Sequence, residues 1–274
     1  MTGEAFDPRT RQRADACARA TFTRAGKRTG PRELFETGGL RWRFPRSTAP
    51  CEAVIVNTGG GVAGGDCYRI ALKLEARAAV DLTTTAAEKI YRSDGPPARI
   101  ATALTLEAGA RLAWLPQETI LFDGARLDRT LAIDIAGDAD LLVVETLVFG
   151  RLAMGEARIE AELSDSWRVS RAGRLVFAEA TRLVHAGASL DRPASGAGAR
   201  AVATILASAP NIEARLPALR AALDERDAEV EAGASALEGI VVARLLSASP
   251  SRLREAAIAA ILAFTGRAPP RLWR

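Results

Sequence analysis

Histidine is nearly absent from this sequence of 274 residues, which contains only His185. Hydrolytic metal sites usually need several imidazoles, and a Ser-His-Asp arrangement would have to use this one residue. The chain also lacks the G-x-S-x-G and H-E-x-x-H motifs. A lone histidine beside a loop is most often a surface or capping residue. We therefore expect no catalytic role for His185 and no conventional hydrolase.

Cysteine and long apolar runs are also scarce. Cys17, Cys51 and Cys67 are odd in number, lie far apart and form no C-x-x-C pair, so we expect reduced thiols and neither a disulfide framework nor a zinc knuckle. No uninterrupted apolar run reaches the length of about eighteen residues that a membrane helix needs. Residues 1–7 carry acidic side chains where a signal peptide would be basic and then apolar. The sequence predicts a cytoplasmic protein that does not enter a membrane.

Lysine occurs only three times, whereas arginine is abundant and gives the chain a net charge of +4. The positive charge is concentrated near the N-terminus: residues 1–50 contain eleven Arg or Lys and five Asp or Glu. A basic arm over residues 1–33 could contact nucleic acid, but aromatic residues for base stacking are few and no recognition motif accompanies it. We expect a solvated or protein-binding surface there and no nucleic-acid binding.

A glycine-rich run occupies residues 57–66, and Gly59, Gly61 and Gly64 match the dinucleotide-binding pattern G-x-G-x-x-G. That motif binds phosphate only when a helix follows it, because the free N–H groups at the helix start hold the anion. Here residues 68–75 alternate apolar and polar side chains, which predicts a strand. No Lys-Ser or Lys-Thr pair closes a Walker A loop. A turn or bulge is favoured, and a nucleotide-binding enzyme that uses Gly59–Gly64 is the alternative.

The central part of the chain, from about residue 51 to residue 206, reads as successive strands. Period-two alternation recurs at residues 100–106, 131–135 and 167–169, and the continuous apolar runs 141–144 and 147–149 predict strands that are covered on both faces. Small-residue turns recur at intervals of about thirty residues, at 74–80, 106–112 and 135–141. This repeat predicts stacked β layers of solenoid or sandwich type.

The C-terminal part changes its pattern after a predicted loop at residues 186–200. Leu216, Leu219 and Leu223 fit an amphipathic helix, and residues 239–246 fit another strand. Ser249 is the expected N-cap of a final helix, with Pro250 at its first position and Gly266 just past its end. Its apolar stripe, which we expect to be buried, comprises Leu253, Ala257, Ile261 and Phe264.

Several longer motifs resemble the urease accessory protein family UreD, also called UreH. They are Leu82-Thr83-Thr84-Thr85-Ala86-Ala87-Glu88-Lys89-Ile90-Tyr91-Arg92-Ser93, Leu112-Ala113-Trp114-Leu115-Pro116-Gln117-Glu118-Thr119-Ile120-Leu121-Phe122-Asp123-Gly124-Ala125, Phe149-Gly150-Arg151-Leu152-Ala153-Met154-Gly155-Glu156 and Pro270-Arg271-Leu272-Trp273. The resemblance runs from about residue 34 to the C-terminus. The glycine run departs from the family pattern, because two prolines of that pattern are missing here, which should loosen the turn. The end of the run, Gly64-Gly65-Asp66, is intact.

The resemblance implies a mainly β fold of stacked, β-helix-like layers with a few helices, two of them toward the C-terminus. It implies one domain over residues 1–274, with a basic N-terminal arm (1–33), β layers (34–209) and a helix-strand-helix part (210–274). The implied function is that of a urease maturation factor without enzymatic activity, which binds apo-urease, UreF and UreG and helps to deliver nickel. No tightly bound cofactor is implied, only transient Ni²⁺. The last helix and residues 270–273 are the expected contact with UreF.

By the same resemblance, a water-filled passage would carry the metal ion, and three carboxylates are candidates to line it: Asp66, Glu145 and Glu179. Each lies in or beside strand-like apolar sequence, where an unpaired charge is costly and needs a partner, a metal ion or water. Isolated carboxylates suit transit, because a cluster of imidazoles and thiolates would retain the ion. The alternative is that each carboxylate forms a structural salt bridge, for instance with Arg92, Arg126 or Arg151.

Overall fold

The computed structural model describes residues 13–46, 50–156, 158–224 and 229–273. Strands dominate this part of the chain, as predicted. The strands are β1 (Asp15–Ala25), β2 (Arg28–Thr37), β3 (Leu40–Arg43), β4 (Cys51–Asn57), β5 (Cys67–Leu74), β6 (Ala79–Thr84), β7 (Glu88–Ile90), β8 (Ala98–Leu106), β9 (Arg111–Leu115), β10 (Thr119–Leu121), β11 (Arg126–Ile135), β12 (Asp140–Phe149), β13 (Glu162–Arg171), β14 (Arg174–Leu183), β15 (Ala201–Ser208), β16 (Val230–Leu237) and β17 (Ile240–Ser247). The helices are α1 (Ala186–Asp191), α2 (Leu216–Asp224) and α3 (Pro250–Thr265).

The strands form two sheets. A seven-stranded sheet has the order β14-β13-β11-β8-β5-β1-β2. A ten-stranded sheet has the order β16-β17-β15-β12-β9-β6-β4-β3, with β10 paired to β12 and β7 paired to β10. The centre of each sheet is parallel: β1, β5, β8, β11 and β13 in the first, and β4, β6, β9 and β12 in the second. Antiparallel strands flank both centres.

The thirty-residue repeat corresponds to successive coils of the chain. The three small-residue turns connect β5 to β6, β8 to β9 and β11 to β12, so that each coil passes from one sheet to the other. The turns stack through backbone hydrogen bonds, such as Glu107 N to Leu74 O and Ala136 N to Leu106 O, both 2.9 Å. The prediction of stacked β-helix-like layers is confirmed.

The apolar core has two parts, and the ten-stranded sheet separates them. One cluster fills the space between the sheets, and the other lies between the ten-stranded sheet and the C-terminal helices. Val143 of β12 faces the first cluster and Val144 the second, so both faces are covered, as the continuous apolar run 141–144 predicted.

The predicted features of helix α3 are confirmed. Ser249 is its N-cap and Gly266 its left-handed C-cap, and all four residues of the apolar stripe are buried against the ten-stranded sheet. The C-terminal segment continues this packing, because the Trp273 Nε1–H donates to the Leu115 carbonyl at 2.8 Å. Among the residues that the structure describes, none of the helices has both the length and the apolar character needed to cross a membrane.

Three segments differ from the sequence-based assignment. Of the predicted basic arm, residues 1–12 lie outside the described residues, and residues 15–25 form β1, which pairs with β5 inside the seven-stranded sheet. Its alternating buried positions (Ala16, Ala18, Ala20 and Phe22) carry mostly alanine, which gave too weak an apolar signal. Within the predicted loop 186–200, residues 186–191 form helix α1 because Ala186 and Leu190 are buried. Strand β16, which is largely exposed, was not predicted and pairs with β17.

Candidate functional site

The glycine run forms a turn, and strand β5 follows it directly at Cys67. No helix start is therefore present to bind a phosphate, and the strand predicted over residues 68–75 is confirmed. Hydrogen bonds tie the run to the strand after it in the second coil: Val62 N donates to Lys89 O at 2.8 Å, and the Tyr91 hydroxyl donates to Gly60 O at 2.8 Å. These bonds fix the turn, although residues 57–66 contain no proline.

Asp66 closes this turn and is buried, with 6% of its surface exposed. One carboxylate oxygen accepts a hydrogen bond from Ala14 N and the other from Ala63 N, both at 2.8 Å. The side chain thus connects the residue before β1 to the glycine turn. Both oxygens have backbone partners, and no arginine pairs with this carboxylate within the described chain.

Glu145 lies in the interior, on β12 of the ten-stranded sheet. Its Oε1 accepts a hydrogen bond from Trp114 Nε1 at 2.7 Å, and its Oε2 pairs with Arg129 Nη1 at 2.6 Å. Arg129 belongs to β11 of the opposite sheet and also binds Asp165 on β13, through Nε at 3.0 Å and Nη2 at 2.6 Å. Trp167 Nε1 donates to Asp165 at 3.3 Å. One guanidinium therefore joins two carboxylates across the core.

Electrostatics in this ion group follow from its burial. Burial raises the pKa of the Glu145 carboxyl above its usual range, and the positive charge of Arg129 opposes this shift. For Arg129, burial acts to lower the pKa, but the charges and hydrogen bonds of Glu145 and Asp165 outweigh it, so the pKa rises above its ordinary value. The guanidinium is therefore permanently charged.

Glu179 lies near the edge of the interior, on β14. It pairs with Arg244 Nη2 on β17 of the opposite sheet, and its other oxygen lies 3.5 Å from the Thr181 hydroxyl. Arg244 also donates to the Thr204 hydroxyl at 3.4 Å. Glu179 and Glu145 are thus both paired with an arginine that comes from the facing sheet.

A cavity of about 150 Å³ lies between the two sheets beside Glu145. Exposed residues, Gly60, Thr85 and Lys89, form its outer end, whereas Arg129 and Glu145 form its buried end. The glycine run therefore contributes one side of the cavity mouth. Neither Asp66 nor Glu179 lines this cavity.

A row of polar side chains runs from the buried end of the cavity across the ten-stranded sheet toward its β16 edge. Glu145 on β12 is the register partner of Thr204 on β15, which is the partner of Arg244 on β17. Cross-strand partners project from the same face of a sheet, so all three point toward the seven-stranded sheet. Arg244 lines a second cavity of about 430 Å³, between β14 and the β16–β17 pair. One end of the row, Glu145, lines the first cavity, and the other end, Arg244, lines the second and pairs with Glu179.

Glu88 is a further carboxylate of the cavity that the sequence did not single out as a site residue. It lies on β7, is largely buried and accepts hydrogen bonds from Asn57 Nδ2 at 3.0 Å to each of its oxygens. Burial raises the pKa of Glu88 to about 6, while the Asn57 hydrogen bond opposes the shift. The motif Ala86-Ala87-Glu88-Lys89 gave no sign of burial, because only its tertiary contacts enclose it.

The arginines named as possible partners of the candidate carboxylates bind other groups. Arg92 pairs with Asp123, Arg126 with Glu162 and Arg151 with Glu156. The partners that the structure gives to Glu145 and Glu179 are Arg129 and Arg244 instead. The reason is topological: these partners come from the facing sheet, and their positions in the sequence do not show that the sheets bring them together.

The remaining metal-binding residue types are dispersed. His185 is exposed at the residue before α1, as predicted for a surface histidine, and its Nδ1 lies 2.6 Å from Glu160 Oε2. Within the described residues, no three His, Cys, Asp or Glu side chains come together in a way that could hold a metal ion. The candidate carboxylates Asp66, Glu145 and Glu179 thus do not form a single centre.

Comparison with known proteins identifies the family. The model of the family described as UreD urease accessory protein matches residues 14–274. The Urease accessory protein UreD of Methylobacterium sp. (strain 4-46) is 51% identical over 255 residues, which cover 91% of this chain and 90% of that protein. The Urease accessory protein UreD 2 of Methylorubrum populi is 49% identical over 272 residues, or 97% and 92% of the two chains. The relative from Beijerinckia indica, also a Urease accessory protein UreD, is 48% identical over 250 residues, covering 91% and 93%. A match of this extent, on a fold of stacked β layers, shows that the chain belongs to the UreD family of urease accessory proteins.

Proposed function

We propose that this protein acts in the cytoplasm as a non-catalytic scaffold that binds apo-urease, UreF and UreG and lets Ni²⁺ pass through its interior to the urease active site. Family membership supports a role in urease maturation. The nickel route, the partners and the absence of catalysis are the parts that we propose.

The observation that carries the route is the polar row between the two cavities. Hydrophobic contacts fill most of the space between the sheets, and a buried polar group is costly unless it is paired. An ion pair such as Glu179–Arg244, or the Glu145 group, is not needed for a stable core, since apolar residues of similar volume are often equally good. Its presence beside a cavity supports a role in passing a charged species.

The chemistry of the row suits transit. Carboxylate oxygens and water bind divalent ions less tenaciously than a set of imidazoles and thiolates does. Glu88 at the mouth, Glu145 at the buried end and Glu179 beyond it would offer one carboxylate at a time. Each is already hydrogen-bonded or ion-paired within the protein, so an incoming ion competes with existing partners and is readily released.

Asp66 has a different place in this proposal. Both of its oxygens bind backbone N–H groups, so we propose that it shapes the turn at the cavity mouth. A metal ion could contact Asp66 only by displacing those N–H groups. Its replacement by Ala would disturb the turn as well as remove a charge. Glu145 and Glu179 are the better residues for a test of the route.

The route is tested by urease activation with Ni²⁺ in the presence of the other accessory proteins. Glu145→Gln and Glu179→Gln keep the side-chain size and remove the charge, and each should lower the rate or yield of activation. Glu162→Gln is a matched control, because Glu162 is also paired with an arginine, Arg126, but on the exposed surface. If both interior variants assembled with the partners and activated urease like the wild type, the route would be wrong.

A second variant pair tests the cavity itself. Thr102 lies on β8 and lines the cavity, whereas Thr105 lies on the same strand and faces outward. Thr102→Phe should fill the cavity and lower activation, and Thr105→Phe should not. Pull-down of apo-urease and UreF, together with the melting temperature of each variant, separates a blocked cavity from a lost fold.

The contact with UreF, expected near the C-terminus, needs a milder perturbation than truncation. Trp273 is buried against the ten-stranded sheet, and Gln117 Nε2 donates to the Leu272 carbonyl at 3.1 Å. Deletion after Gly266 would therefore expose the core. The exposed apolar side chains Leu262 and Leu272 are the suitable positions, and unchanged pull-down of UreF by Leu262→Asp and Leu272→Asp would argue against this surface.

A further inference from the structure

Arg129 is the only cation within salt-bridge distance of Glu145 and Asp165 among the described residues. The three side chains come from three strands and two sheets, and each is about nine-tenths buried, with exposures of 8%, 11% and 8% for Arg129, Glu145 and Asp165. When both carboxyl groups are ionised, the group carries two negative charges and one positive charge. Among the described residues, Arg129 alone then balances two buried carboxylates.

The two carboxylates converge on the guanidinium from opposite sides. Glu145 approaches Nη1, and Asp165 binds Nε and Nη2 as a fork. The indole N–H groups of Trp114 and Trp167 hold the carboxylates in place from behind. Two fixed carboxylates that face a common centre would supply part of the oxygen ligands that a hard divalent cation takes, and water would have to supply the others.

The cavity gives this centre a path to solvent. Arg129 and Glu145 form the buried end of the cavity whose mouth is at Gly60, Thr85 and Lys89. A cation that passes Glu88 would meet Glu145 with Arg129 beside it, whereas Asp165 does not line the cavity. The guanidinium and the metal ion would then compete for the same carboxylate oxygens.

We infer that Arg129 occupies the position of a divalent cation between Glu145 and Asp165, and that it acts as an internal counter-ion which prevents this carboxylate pair from retaining a metal ion. Without Arg129, two buried carboxylates would face each other, and a divalent cation, in competition with a proton, would offset their repulsion. With Arg129 present, a passing ion gains only a partial and temporary share of Glu145. The second part of this inference rests on the proposed function, whereas the first part does not.

The first test measures thermal stability of the isolated, untagged full-length chain with EDTA and with added NiCl₂ or MnCl₂. Arg129→Gln removes the positive charge and should be strongly destabilised in EDTA, because it leaves a buried charge pair unbalanced. Divalent metal should restore its stability. At about a hundred times the Kd of the metal, binding raises the folding equilibrium constant about a hundred-fold.

Three controls isolate the effect. The wild type and Arg129→Lys, which keep the positive charge, should respond little to the metal. The triple variant Arg129→Gln/Glu145→Gln/Asp165→Asn lacks the carboxylates and should also respond little. Surface binding of the metal, for instance at His185, is the same in all four proteins and cancels in the comparison.

The outcomes decide the inference. A metal-dependent stabilisation confined to Arg129→Gln supports it, including the case in which that variant folds only with metal. The inference is overturned if the metal stabilises Arg129→Gln no more than the triple variant, or if Arg129→Gln remains unfolded with and without metal. Urease activation is a separate readout: if metal stabilises the variant but activation equals that of the wild type, the proposed nickel route fails and the cation-like position of Arg129 stands.

Discussion

The raised pKa of Glu88 leads to a specific prediction about stability and pH. The carboxyl has an ordinary pKa of 4.5 when exposed, and burial raises it to about 6 in the folded protein. The difference of roughly 1.5 pKa units corresponds to about 2 kcal/mol, since one unit is worth about 1.36 kcal/mol. Charged Glu88 is therefore less stable in the folded state than in the unfolded state.

The sign of the pH dependence follows from the direction of the shift. Below about pH 4.5, Glu88 is protonated in both states and imposes no penalty. Between about pH 4.5 and pH 6, the unfolded state binds fewer protons than the folded state, so stability falls as the pH rises. Above about pH 6 the full penalty of about 2 kcal/mol is present.

Glu88→Gln removes the charge at every pH and should remove this dependence. Gln keeps one oxygen that can accept from Asn57 Nδ2, and any loss of the other hydrogen bond is the same at all pH values. The free energy of unfolding of Glu88→Gln minus that of the wild type should therefore increase by about 2 kcal/mol from about pH 4 to about pH 7.5.

The assay is urea denaturation at several pH values, with the change in midpoint interpreted at constant m-value. Glu231→Gln on β16 is the control for loss of one negative charge, because Glu231 is exposed; it should give no comparable increase. A difference between Glu88→Gln and wild type that is constant with pH, or that decreases as the pH rises, would refute the reasoning from burial.

Two further predictions concern the turn at the cavity mouth. Gly64→Ala should destabilise the protein by at least about 2 kcal/mol, because the new Cβ would lie 1.9 Å from Ser93 Oγ and would also approach backbone. Gly30→Ala on β2 has open space around the new Cβ and should change stability by less than about 1 kcal/mol. Equal urea midpoints for the two variants would contradict this prediction. Asp66→Asn replaces one carboxylate oxygen, which accepts from Ala14 N or Ala63 N, with an NH₂ donor. The substitution should lower the free energy of unfolding, measured by urea denaturation at neutral pH, by about 1–3 kcal/mol. Wild-type stability of this variant would mean that the turn does not need both bonds.

Local features of the fold were predictable because they depend on residues that are close in sequence. The alternation in β5, β8 and β11 was predicted from the period of two that one buried face imposes. The caps of α3 at Ser249 and Gly266 were predicted because helix ends need specific local hydrogen bonds and backbone angles. Strand β1 was missed because alanine contributes little apolar signal, although Ala16 and Ala18 are fully buried.

The site was predictable only in part. Asp66, Glu145 and Glu179 were named from the family resemblance, and the structure gives each of them a partner. The sequence could not identify those partners: Glu179 and Arg244 are 65 residues apart, and Asp66 and Ala14 are 52 apart. The burial of Glu88 also had no local signal.

The sequence by itself determined the strand periodicity, the thirty-residue repeat, the final helix and the family, because each depends on the residue types in short continuous segments. Only the tertiary structure decided which charged groups meet. Two sheets pack face to face, so Arg129 reaches Glu145 and Arg244 reaches Glu179 across the interior. The glycine run shows both effects: its turn follows from its residue types, and its position at the mouth of a cavity follows from the packing of the coils around it.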